Sequence, residues 1–179
     1  MRFSNPAGSA AGAAGQYVSD LLEVLGTREP FAVLTETPGV LRTAISRAAP
    51  AALRRPEAPG KWSVAAVLQH LADSDLITGY RIRLMLAEDS PVIPGYDQDA
   101  WALRLHYEDA EPSAALSQFD AFRTANLALW RRLTDSELAR TGLHSERGPE
   151  SVGFLIKLIA AHDLVHFAQI TRILGAVER

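Results

Sequence analysis

His162 and His166 stand four residues apart in AAHDLVHFAQI, residues 160–170. Four residues is about one turn of an α-helix, so both imidazoles leave the same face and two ring nitrogens can reach one ion. His70 lies in a second stretch of helical periodicity, near the edge of the apolar stripe marked by Val67 and Leu71. A buried imidazole needs partners for both nitrogens, and a metal supplies one of them. Three neutral nitrogen ligands with open positions is the arrangement of catalytic rather than structural zinc, and imidazole also suits nickel, copper or iron. Spacing alone leaves a second reading open, in which the three histidines are separately satisfied core residues.

The neighbours of these histidines carry less information. Asp73 follows His70 by three, Asp163 adjoins His162, and Gln169 follows His166 by three; each is a candidate partner for a ring N–H. Asp163 projects ~100° away from His162 on a helix, so it is expected to hold a neighbouring helix or loop rather than that ring. His106 falls in an irregular connection and reads as a loop residue. His144, in GLHSERG, could cap a helix, line a cleft or be solvated. Arg81, Arg83 and Arg147 are candidates, by location, for a basic cleft mouth. No residue is assigned a catalytic role. HExxH, the P-loop, GxGxxG and GxSxG are absent, as are the Glu-xx-His pairs of a di-iron bundle, which leaves a mononuclear site.

The elements that must position these side chains are helical. YVSDLLEVLG predicts a short amphipathic helix closed by Gly26, and Pro38 is expected to start another over PGVLRTAISRA. Ser63 is a candidate N-cap for a long helix carrying Val64, Val67, Leu68, Leu71 and Leu84 on one stripe. Pro91 and Pro94 end it, and residues 91–112 form a long irregular crossover with one helical turn around Trp101. A third long helix is predicted over 113–133, a capping box over TDSE at 134–137, a loop over HSERGPES, and a last helix from Ser151 to about Ala176. Strand signals are nearly absent. The reading is an all-α, antiparallel four-helix bundle with a long crossover between the second and third bundle helices, over residues 16–179 as one domain, preceded by a flexible tail at 1–15. In such bundles metal sites form from inward-pointing side chains on facing helices.

Bulk properties exclude several functions. The chain has 179 residues, 47% hydrophobic and 22% charged, with net charge −3, which suits one globular core and gives no basic footprint for nucleic acid or an anionic membrane. No cysteine is present, so disulfides, thiolate ligands and a protein thiol nucleophile are excluded. That absence fits a reducing cytoplasm, the expected compartment. No apolar run approaches the ~20 residues that span a bilayer, and no signal peptide is expected from the first residues.

The segments KWSVAAVLQHLADSD (61–75), YRIRLML, DQDAW, RTGLHSERGPESV and AAHDLVHFAQI occur in one order. In this combination the chain resembles the DinB-like superfamily of YfiT-like metal-dependent hydrolases, from about residue 30 to the end. The resemblance implies a four-helix bundle with a divalent metal, nickel or zinc, held by His70, His162 and His166. It also implies frequent homodimers, a small-molecule substrate, and either hydrolysis or transfer of a low-molecular-weight thiol brought as cosubstrate. A non-catalytic, metal-stabilised ligand-binding bundle is the competing reading. The superfamily name does not imply contact with nucleic acid.

Overall fold

The computed structural model describes residues 11–177 and turns each stretch of three- and four-residue apolar spacing into a helix. In chain order the elements are α1 (Ala11–Leu25), α2 (Pro30–Ser46), α3 (Pro50–Arg54), α4 (Val64–Ala87), β1 (Val92–Ile93), α5 (Gln98–Arg104), a 3-10 turn (Tyr107–Asp109), α6 (Pro112–Trp130), α7 (Asp135–Leu138), β2 (Thr141–His144), β3 (Gly148–Ser151) and α8 (Val152–Val177). Of the tail expected over residues 1–15, residues 11–15 open α1, and residues 1–10 lie outside the described residues.

Local chemistry sets most boundaries. Gly26 ends α1 in the left-handed region at φ 57°, as a residue without Cβ does at low cost. Ser63 accepts the backbone N–H of Ala66 at 3.3 Å and opens α4. Thr134 and Glu137 form the reciprocal capping box of α7.

The start of α2 corrects the sequence reading. The helix begins at Pro30, where the Glu29 carboxylate accepts from Phe31 N at 3.0 Å and Ala32 N at 2.7 Å. Pro38 therefore lies inside the helix rather than at its first turn. A mid-helix proline cannot donate to the carbonyl four residues back. Here that carbonyl belongs to Leu34, and the Arg123 guanidinium occupies it, donating from Nη1 at 3.0 Å.

The four bundle helices are α2, α4, α6 and α8, with α1 packed against α8. α4 packs on α6 and α8, and α2 packs on the same two. The core has two apolar clusters. Leu34, Ile82, Trp130 and Ile156 belong to one, and Leu41, Val67, Phe119 and Ile173 to the other. Read along each helix, α2 and α8 run from the first cluster to the second, whereas α4 and α6 run the opposite way. The pair α2/α8 is thus antiparallel to the pair α4/α6. Since α4 and α6 point the same way, the chain must return the length of the bundle between them, and residues 88–111 are that crossover.

A small sheet was not expected. β1 pairs in parallel with β2, and β2 pairs antiparallel with β3, so the predicted HSERGPES loop is the turn and second strand of a hairpin. At two to four residues the strands are too short to show a periodicity. β2 alternates exposed and buried positions, which turns His144 inward.

α8 is long and apolar enough, by length and composition, to cross a membrane, more than the sequence reading allowed. In this fold half of its most apolar window is buried, and its inner face holds Ile156, Ile159, His166 and Ile173.

Candidate metal centre

His70 enters from α4, and His162 and His166 enter one turn apart from the adjoining helix α8. Their ligand nitrogens all lie within 4.8 Å of one another. His70 Nε2 is 3.0 Å from His162 Nε2, which is 3.1 Å from His166 Nε2. His70 and His166 are buried and His162 keeps partial exposure. Trp62 forms a wall beside His70, ring centroids 5.0 Å apart.

The protonation pattern suits ligands. His166 Nδ1 lies 2.7 Å from Gln169 Oε1 and donates to it, which leaves Nε2 as a lone pair aimed at the cluster. A proton on His162 Nε2 could serve only one of its two neighbours, His70 Nε2 or His166 Nε2. Burial holds His166 down to about 4 and, with the nearby histidines, holds His70 and His162 well below the ordinary imidazole range. All three are neutral at pH 7, the state that coordinates metal. Two nitrogens bound to one ion at about 2.1 Å along perpendicular directions sit about 3.0 Å apart. The residues present fit one divalent ion with further positions open.

The neighbours sort differently from their order in sequence. Asp73 does not serve His70; it accepts the Tyr107 hydroxyl at 2.5 Å. Burial and that bond raise the Tyr107 phenol above its ordinary range. His106 is exposed beside them, on a cavity of about 380 Å3 also lined by Gln69, Asp73 and Asp109. Ser74, one turn beyond His70, places its hydroxyl 3.4 Å from His70 Nε2 and 3.3 Å from the Tyr96 hydroxyl.

Asp163 turns away from His162, as expected, toward a residue that sequence reasoning missed. Arg123 of α6 binds Asp163 at 2.6 and 3.0 Å and Asp75 of α4 at 2.6 Å, besides the Leu34 carbonyl of α2. One guanidinium therefore ties all four bundle helices and fixes the α8 turn that carries His162. Burial alone would lower Arg123, but Asp163 and Asp75 outweigh it and hold the charge firmly. Burial lifts Asp75 above the usual carboxylate range, although Arg123 opposes it. Asn126 adds bonds to the Asp75 carbonyl at 2.9 Å and carboxylate at 3.0 Å. A Cβ on Gly79 would stand 2.3 Å from Asn126 Oδ1, so any side chain there would displace the Asn126 amide from its place between α4 and α6.

The three candidate arginines separate. Arg83 is held by the Gly79 carbonyl at 2.9 Å and Asn126 at 2.8 Å, and Arg147 by Glu150 at 2.5 and 2.9 Å. Arg81 has no carboxylate partner among the described residues; it donates to the Pro94 carbonyl at 2.6 Å. His144 is buried on β2, neither capping nor solvated, and its Nδ1 accepts from Glu146 N at 3.2 Å.

Similarity to known proteins agrees with this geometry. The family model of the DinB superfamily matches residues 34–170. YfiT of Bacillus subtilis is 31% identical over 147 residues, covering 80% of this chain and 83% of that protein. OB0782 of Oceanobacillus iheyensis, which carries the same provisional name of metal-dependent hydrolase, is 36% identical over 112 residues, covering 63% of this chain and 64% of that protein. The solved YfiT structure, described as a probable metal-dependent hydrolase with an unusual four-helix bundle topology, superposes with a TM-score of 0.74 at 27% identity, covering 97% of this chain and 93% of that one. With its family match spanning most of the chain, this protein belongs to the DinB superfamily.

Proposed function

We propose that the protein is a divalent-metal-dependent enzyme that acts on a small molecule, by hydrolysis or by transfer of a low-molecular-weight thiol. The observation that carries this reading is the convergence of three neutral Nε2 atoms at 3.0 and 3.1 Å spacings. The hydrolase names of its relatives support it. His70, His162 and His166 would hold the metal, nickel or zinc, and Gln169 would fix the His166 tautomer. When bound, the metal lowers the pKa of water or of a thiol into the neutral range and so generates a nucleophile.

The chain's own residues set the conditions for that chemistry. Trp62 excludes water from one side of His70. The hydroxyls of Ser74 and Tyr96 form a short relay from the histidine cluster outward, able to bond a leaving oxygen or pass a proton. Burial keeps the Tyr96 phenol above its ordinary pKa and so protonated at neutral pH. With no cysteine in the chain, a thiol nucleophile must come from a cosubstrate.

The test is a paired assay of nickel- and zinc-loaded protein against His162→Ala. One arm follows hydrolysis of activated esters, and the other follows conjugation of a low-molecular-weight thiol to an electrophile. Metal-dependent turnover in either arm, lost in the variant, supports the reading and selects the reaction. Stoichiometric metal binding with no turnover in either arm favours a metal-stabilised ligand-binding bundle instead.

A further inference from the structure

Arg81 is 7% exposed yet makes no ion pair among the described residues. Arginine is seldom buried unless paired, and an uncompensated buried charge is costly. Its Nη2 donates to the Pro94 carbonyl and its guanidinium carbon lies 5.7 Å from the Tyr96 ring centroid. Its Nε–H is buried with no partner among the described residues.

A second orphan donor stands close by. His144 is 2% exposed, and because its Nδ1 accepts from Glu146 N, the proton of the neutral ring sits on Nε2. That Nε2 is also buried without a partner among the described residues. The backbone brings the two together: His144 pairs with Ile93 across β1–β2, and Pro94, which Arg81 holds, follows Ile93. The charge of Arg81 reaches His144 strongly enough to help hold its pKa down, after burial and Arg147.

Arg81 is linked to the histidine cluster through Tyr96 and Ser74. His70, Ser74, Thr78 and Arg81 follow one another at three- and four-residue spacing along one face of α4. Helical side chains lean toward the N-terminus, so Arg81 reaches back toward Ser74. Tyr96 bridges the two, with its hydroxyl on Ser74 and its ring beneath Arg81. Arg147, held by Glu150 in a two-bond pair, also faces Arg81, as do the carboxylates of Glu150 and Glu146.

We propose that Arg81 Nε–H and His144 Nε2–H form an oxyanion subsite beside the three-histidine centre, which takes a carboxylate or phosphate group of the small-molecule substrate. This rests on the reading of the centre as a small-molecule site and narrows the substrate to an anion. A planar guanidinium edge and an imidazole N–H both suit an oxyanion, and the charged bond would supply the direct ion pair that Arg81 lacks among the described residues.

The experiment titrates acetate and inorganic phosphate separately into the full chain, reading the thermal midpoint in every protein and, where Arg81 is present, its Nε–H resonance by 1H–15N NMR. The proteins are wild type, Arg81→Lys, Arg81→Gln, His144→Gln and His162→Ala, each checked by circular dichroism for native helix content. Saturable binding of at least one anion is expected in wild type, weakened about tenfold to a hundredfold in the Arg81 and His144 variants. It should persist in His162→Ala, which lacks the centre but keeps the subsite, so loss of the metal reading leaves this one testable. Preference between acetate and phosphate names the group. No saturable response to either anion, equal binding in Arg81→Gln, or binding lost only in His162→Ala would overturn the proposal.

Discussion

Two arginines lie buried in this bundle under opposite conditions. Arg123, 1% exposed, meets two carboxylates and a backbone carbonyl and touches every bundle helix. Arg81, 7% exposed, meets one carbonyl and an aromatic face, and keeps a buried N–H without a partner among the described residues. A saturated buried charge is architecture, since its bonds are complete before any ligand arrives. An unsaturated one about three turns along the same helix from a metal-competent histidine has bonding capacity left over. The difference separates residues that hold the bundle from residues that act within it.

Breaking the saturated side should have the largest effect. Arg123→Met leaves Asp75 and Asp163 buried without their cation, and the urea midpoint should report a loss of about 3–5 kcal/mol. A loss below ~1 kcal/mol would mean that the network contributes no more than a surface pair. Next comes acid sensitivity. Burial, then Arg147 and Arg81, hold His144 down to about 4, below its ordinary value near 6.5. Protonation therefore favours the unfolded chain, and this contribution is whole above pH ~6.5 and lost as pH falls toward about 4. Metal-free wild type should lose on the order of 1–3 kcal/mol more over that interval than His144→Gln, measured by urea titration at each pH.

A smaller effect tests how Pro38 is tolerated. In a Pro38→Ala background the new N–H can take the Leu34 carbonyl, so Arg123→Met should cost about 1 kcal/mol less than in wild type. Strict additivity would show that the Arg123–Leu34 bond contributes nothing to the helix around Pro38. The smallest effect sharpens the contrast itself. Arg81→Met removes an unpaired buried charge, so the ligand-free protein should stay within about 1 kcal/mol of wild type or rise above it. A loss matching that of Arg123→Met would erase the distinction between the two arginines.

What the sequence disclosed followed the range of the interactions involved. The four-residue spacing of His162 and His166 is local, and Ser63, Gly26 and the Thr134–Glu137 box are read within a few residues. The position of Asp163, a quarter-turn from His162, was enough to predict that it serves another helix. Arg123 was illegible because FDAFRTAN looks like an ordinary helix with an outward arginine; its partners come from three helices far away in sequence. Pro38 misled for the same reason, since the group that excuses it lies on α6. The sheet escaped notice because β1 has two residues and takes its register from β2, about fifty positions on. Arg81, Arg83 and Arg147 were indistinguishable in sequence, and only the placement of Asn126 and Glu150 separates them.

The chemistry proposed for this bundle needs the three histidines to share one ion. The most direct measurement is metal content per chain by elemental analysis of protein purified without a histidine tag and reconstituted with nickel or zinc, for wild type, His70→Ala, His162→Ala and His166→Ala. The prediction is near-stoichiometric metal in wild type and its loss in each variant, with helix content retained. Wild type that takes up no metal after reconstitution, or variants that keep it, would contradict the account and return the three histidines to the core as packing residues.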